Sequence, residues 1–205
     1  MAKITNTGVF IVEGSDDATD VTGSSQIWCK SDAPSSLYHT DDTGVKHRLG
    51  TTVGAEVTTG ATTVVATGIP PGVTCVDVLF EGLSADATRE WIVRIGPSGG
   101  VETSGYNSRS ATNTSANMDV STVGFIMTYS VADGDTRDGI VQLRLKDVTS
   151  NTWIYSGMTV DHTTPQLQYG AGAKSLAGVL ERVQISDTTG GTDTFDAGSI
   201  ALLYW

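Results

Sequence analysis

The chain has 205 residues, 39% hydrophobic and 17% charged, a balance that describes a folded globular protein rather than a disordered one. Glycine is abundant at 24 and proline scarce at 5, and no Gly-X-Y period runs through them, which excludes a collagen-like rod. With 23 acids against 12 bases the formal charge is −11, so the surface repels phosphate and argues against direct nucleic-acid binding or docking on anionic lipid.

The first seven residues, MAKITNT, lack the apolar core of a secretory signal, and no stretch approaches the roughly 18 apolar residues of a membrane span. The expectation is a chain made in cytosol with no membrane insertion. Short strand-like pieces follow at 9–12 (VFIV), 26–30 (QIWCK), 37–40 (LYHT) and 45–49 (VKHRL), separated by polar turns. A Thr/Gly-rich segment, 51–60 (TTVGAEVTTG), closes this part. Residues 1–60 are too few and too polar for a comfortable core of their own. They read as an extended, β-rich N-terminal arm that packs on a neighbour. Cys29 and Cys75 each sit in a strand-like run, 26–30 and 73–80. A disulfide between them stays open, and two buried free thiols are the favoured expectation.

From 61 to 205 the spacing of apolar residues is two, not three or four, and Val, Ile and Thr are abundant. Strands are expected at 64–67 (VVAT), 74–80 (TCVDVLF), 90–95 (EWIVRI), 124–129 (GFIMTY) and 139–146 (GIVQLRLK). In the last of these Val141, Leu143 and Leu145 oppose Gln142, Arg144 and Lys146. A turn at Ser150-Asn151 makes 152–156 (TWIYS) its hairpin partner, and 180–185 and 199–205 complete the series. The final run, SIALLYW, is apolar to its last residue, so it is expected to be paired in a sheet or sealed in a subunit contact. The fold class is all-β: a β-sandwich or jelly-roll-like domain over 61–205, preceded by the arm. Residues 104–117 have little apolar content and read as a long Ser/Asn/Thr loop.

Little in this pattern suggests catalysis. His39, His47 and His162 are the only histidines, with no zinc-protease spacing and no Gly-x-Ser-x-Gly elbow. His39 and His47 flank the Asp41-Asp42-Thr43-Gly44 turn and could meet across a hairpin, but no third ligand is placed by spacing, so solvated strand histidines are favoured. The run 133–139 (DGDTRDG) departs from a calcium loop because Arg137 stands at the third ligand position, and it reads as a hairpin connection with a solvated acidic tip. Ser15-Asp16-Asp17-Ala18-Thr19-Asp20 reads as a turn in the same way. Gly96-Pro97-Ser98-Gly99-Gly100 follows a strand as a phosphate loop would, yet no helix and no lysine follow it, so a turn with positive φ is the better account.

Several segments carry a resemblance. Gly68-Ile69-Pro70-Pro71-Gly72-Val73, then 76–84 (VDVLFEGLS), then 94–106 (RIGPSGGVETSGY) resemble a recurrent module of phage virion appendages. There an "IPxGV" strand leads to "F-x-G-x-S" and then to "(Q/R)-I-G-x-S-G-G-(I/V)-E-T-x-G-Y". The likeness continues through Trp153 to a "G-S-I-x-L-x-Y"-like strand, here 198–204. The arm residues 33–50 (APSSLYHTDDTGVKHRLG) are similar to "P-x-x-L-Y-F-T-D-D-x-G-x-x-x-x-L" segments near the starts of phage fibre and structural proteins.

The resemblance implies a non-enzymatic, trimeric component of a tail fibre, tail tip or head fibre, located in the virion. Its arm would bind other virion proteins, and its sandwich would point outward to a host surface glycan or protein. A capsid decoration protein without receptor binding is the alternative, and a cellular carbohydrate-binding module the weaker third. No catalytic residue, metal or cofactor is expected. Candidate receptor contacts are Tyr106, Asn107, Ser108, Arg109 and Asn113 in the polar loop, which could equally fill gaps between subunits. Trp28, Trp91 and Trp153 read as core or trimer-axis residues, while Trp205, aromatic and terminal, is left open.

Overall fold

The structure is a computed structural model that describes residues 13–14, 26–30, 36–40, 46–49, 52–53, 57–58, 60–114, 118–164 and 166–205. It divides into two compact units, one comprising Met1–Thr51 with Trp205 and the other Thr52–Tyr204. Both are built of strands, and no helix occurs among the described residues.

The first unit contains a four-stranded sheet of β1 (Glu13–Gly14), β2 (Gln26–Lys30), β3 (Ser36–Thr40) and β4 (Lys46–Leu49), in that order. β1 runs parallel to β2, and the other pairs are antiparallel. Three of the expected strand pieces are therefore present. The pieces at 9–12 and 15–20 lie outside the described residues, as do the side chains of Trp28, Cys29 and His47.

The second unit is an all-β sandwich of two antiparallel sheets. Its short leading strands are β5 (Thr52–Val53), β6 (Val57–Thr58) and β7 (Thr63–Thr67). Then come β8 (Cys75–Ala85), β9 (Arg89–Gly96), β10 (Asn107–Thr112), β11 (Met118–Ser121), β12 (Phe125–Val131) and β13 (Arg137–Asp147). The last four are β14 (Thr152–Asp161), β15 (Leu167–Ser175), β16 (Arg182–Asp187) and β17 (Phe195–Tyr204). The larger sheet has the order β11-β10-β15-β14-β13-β8-β17-β5, with β6 also on β17. The smaller has the order β12-β9-β16-β7.

The core follows from alternation. Val76 and Val78 of β8, Val141 and Leu143 of β13, Trp153 and Tyr155 of β14, and Ile200 and Leu202 of β17 point inward from the large sheet. Trp91, Val93 and Ile95 of β9 join them from the small sheet, with Phe125 of β12 and Val183 and Ile185 of β16. Phe125 stacks on Tyr155 at 4.9 Å between centroids, Tyr106 meets its edge at 4.9 Å, and Trp91 lies edge-on to Phe195 at 5.4 Å. Trp91 and Trp153 are thus core residues. Each such large side chain contributes about 1.5–3 kcal/mol on burial.

The hairpin of β13 and β14 forms as the Ser150-Asn151 turn requires, with Asn151 in the left-handed region at φ 47°. β17 begins at Phe195, earlier than its apolar run, and Gly198 at φ +87° sits in the bulge between Ala197, opposite Ser84, and Ser199, opposite Glu81. A Cβ there would stand 2.5 Å from the Glu81 carbonyl. β17 is paired within the sheet, between β8 and the short strands β5 and β6. Those two strands come from 51–60, the segment read as the end of the arm.

Two expectations need correction. Residues 104–117 do not form one long loop, because β10 occupies 107–112; β11 and β15 were also unforeseen. Their inward positions are Ser108, Ser110, Thr112, Gln168, Gly170 and Gly172, so no apolar alternation marks them. These polar side chains serve the edge of the small sheet. β12 is an edge strand there, and its outward backbone groups would be unpaired and buried. Ser108 Oγ accepts the Ile126 N–H at 3.0 Å, Gln168 Oε1 accepts the Tyr129 N–H at 2.6 Å, and Tyr155 donates its hydroxyl to the Ile126 carbonyl. The second correction concerns 133–139. It is a turn with exposed Asp133, but it joins β12 of one sheet to β13 of the other and so is not a hairpin.

Candidate functional site

The five candidate contacts separate once folded. Tyr106 is buried, and its hydroxyl accepts the Ile95 N–H at 2.8 Å and reaches the Glu102 and Ile95 carbonyls at 3.0 and 3.1 Å. Burial pushes its phenol well above the usual tyrosine range. It pins the Gly96–Gly100 turn, which closes on itself through Gly100 N–H to Pro97 O at 3.1 Å. A Cβ at Gly96 would lie 2.1 Å from the Gly100 carbonyl, so the segment is a tight turn as expected. Ser108 is fully buried in its edge-capping bond. Neither residue offers surface to a receptor. Asn107, Arg109 and Asn113 are exposed. Asn113 ties itself to β15, its Oδ1 accepting the Leu167 N–H at 2.8 Å.

Charged groups are engaged in structure. Arg137 and Asp161 form a buried ion pair at 2.8 Å. Lys174, buried beside Tyr106 with its Nζ 5.4 Å from the ring centroid, binds Glu102. Glu102 is desolvated, yet the Ala177 N–H and Lys174 together hold its carboxyl below the ordinary range. His162 Nε2 meets Asp138 Oδ2 at 2.6 Å on the surface. Asp187 accepts the N–H groups of Thr189, Thr192 and Asp193 and the Thr189 hydroxyl. Those bonds outweigh its desolvation and lower its carboxyl far below the usual value. Among the described residues, no group of three or more His, Cys, Asp and Glu is placed to hold a metal ion. The strand register sets His39 opposite His47 in β3 and β4. Cys75 carries a free thiol.

The feature that stands out is the outward face of the large sheet. Its register aligns one residue from each of seven strands in a row across the face. Met118 lies opposite Ala111, and Ala111 opposite Tyr169. Tyr169 lies opposite Met158, Met158 opposite Ile140, Ile140 opposite Leu79 and Leu79 opposite Ala201. Every member is apolar or aromatic. Met118 is 66% exposed, Met158 52%, Tyr169 51% and Leu79 36%. Val160 and Leu167, paired with each other, extend the patch on one side and Val120 on the other. Three shallow depressions lie along it: at Met118 and Tyr169, at Ile140 and Met158, and at Leu79 and Ala201.

Scattered exposed apolar side chains are ordinary, but a contiguous row of them marks a contact surface. Sequence reasoning missed this row because it looked for one apolar face per strand. The signal was present in β14, where Ile154, Met158 and Val160 alternate with inward Trp153 and Tyr155, giving a strand apolar on both sides. Arg109 lies beside the row on β10 and Asn113 is bonded to Leu167, so two exposed candidate contacts border the patch that the fold creates. Comparison of the chain with family models, with curated proteins and with solved structures finds no match.

Proposed function

We propose that this chain is a non-enzymatic structural protein of a bacteriophage virion, a peripheral fibre or appendage subunit whose sandwich makes protein contacts through the outer face of its large sheet. The observation that carries this reading is the apolar row from Met118 to Ala201, continuous across seven strands, with Met118, Tyr169, Met158 and Leu79 exposed and Ala111, Ile140 and Ala201 half-buried. An apolar sheet face on a rigid scaffold is suited to lasting protein–protein contact. The resemblance of 68–106 and 33–50 to appendage modules supplies the setting, with the arm as attachment to other virion proteins. Contact with a host surface glycan or protein would fall to exposed polar residues outside that row, such as Asn107.

The same row favours a second reading, a capsid decoration protein, because apolar patches suit packing on coat protein better than binding sugar. Immunogold labelling of intact particles with antibody to the full chain tests both. Label on a few fibres at the tail or a vertex supports the appendage, and label over the whole shell supports decoration. Particles without label overturn the virion reading.

A further inference from the structure

We propose that the outer face of the large sheet pairs with the same face of a second copy of this chain, about a two-fold axis running along β14 past Met158. The inference rests on the reading of this face as a protein-contact surface and names its partner. β14 has β15 and then β10 on one side, β13 and then β8 on the other. A two-fold axis along β14 therefore sets β10 of one copy over β8 of the other, and β15 over β13.

The residues then complement one another. In the apolar row Met158 meets Met158 of the second copy, Tyr169 meets Ile140, and the small Ala111 meets the larger Leu79. One outward position along the strands, the register runs from Arg109 through Ala171, Ser156 and Gln142 to Asp77. The same axis places Arg109 of each copy over Asp77 of the other, so two opposite-charge pairs flank the apolar centre. Asp77 Oδ1 is held by Arg144 at 2.9 Å, while its Oδ2 lies 3.5 Å from the Gln142 amide and retains capacity for a further donor. The other in-plane choice, an axis along the row, would set Asp77 over Glu81 and is opposed by like charge. Sheets packed face to face cross at roughly 30°, which displaces a pair two strands, about 10 Å, from the axis by about 5 Å. An arginine side chain spans that shift.

The pairing is two-fold, in contrast to the three-fold assembly that the appendage resemblance implies. Sedimentation velocity of the full chain at micromolar concentration is expected to give a dimer. Met158→Lys should give a monomer with unchanged circular dichroism and a thermal midpoint that no longer rises with protein concentration, as the dimer's does. Arg109→Asp alone and Asp77→Arg alone should each weaken the dimer at least tenfold, while mixing the two variants should restore it, because both flanking contacts are then of opposite charge. With Cys29 and Cys75 both changed to Ser, Met158→Cys should be joined into a covalent dimer by a short bis-maleimide crosslinker, because facing sheets about 10 Å apart hold the two thiols beyond disulfide reach. A wild-type monomer or trimer, or a dimer indifferent to Met158→Lys and to the charge exchange, overturns the proposal. These readouts need no virus, so unlabelled particles would remove the virion reading and leave the dimer result standing.

Discussion

The Gln168 side chain, on β15 of the large sheet, accepts the backbone N–H of Tyr129, on the edge strand of the small sheet, at 2.6 Å. Its amide nitrogen donates to Ser110 Oγ at 2.7 Å, so one buried polar residue links β12, β15 and β10. Gln168→Ala leaves the Tyr129 amide and the Ser110 hydroxyl without this partner. The expected cost is about 2–4 kcal/mol, the sum of an unmet buried donor and a lost bond. Chemical denaturation at pH 7 reads it, and Ser108→Ala, which strips Ile126 of its acceptor, should cost about 1–3 kcal/mol.

The side chains of Arg137 and Asp161 are each 2% exposed, and Arg137 Nε and Nη1 meet no acceptor among the described residues. The pair is therefore incompletely compensated for leaving water. Asp161→Asn alone should destabilise by about 3–5 kcal/mol, since it strands a buried guanidinium. The double change Arg137→Met with Asp161→Asn should recover most of that loss in the same unfolding experiment, because it removes the stranded guanidinium and keeps an acceptor for the Thr163 and Thr164 N–H groups.

Tyr106→Phe keeps the ring against Phe125 and removes the hydroxyl that holds Ile95 and Glu102. Stability should fall by about 1–2 kcal/mol, a drop of roughly 2–8 °C in thermal midpoint for a chain this long. Because the side chain is buried, association through the outer sheet face should not change, which sedimentation would check.

Acid should act on stability in two opposite directions. Burial, and then the Asp119 carboxylate, push Glu90 above the usual range, and burial does the same to Asp119. These groups bind a proton more tightly when folded, so lowering the pH through their folded values adds stability. Asp161, Asp187 and Glu102 are displaced downward, so their contribution is present above the unfolded value near 4 and is lost as the pH falls through the folded one. Glu90→Gln should raise the midpoint at pH 7 by about 1–3 °C and give no gain near pH 4. Asp187→Asn should lower the midpoint at pH 7 and flatten the acid-side loss.

The amino-acid sequence by itself determined the all-β class, the strands with apolar alternation such as 90–95 and 139–146, and the Ser150-Asn151 hairpin. Period-two burial and turn chemistry are local, so they can be read along the chain. It also determined that Gly96–Gly100 is a turn, because the missing lysine and helix are local facts as well. Tertiary structure alone decided that β10, β11 and β15 are strands. Their inward Ser, Thr and Gln side chains make sense only beside the edge of β12, an edge created by residues more than a dozen positions away. The apolar row was decided at the same level. Met118, Met158, Ile140 and Leu79 come from four separate strands, and only antiparallel register across the sheet sets them in one line.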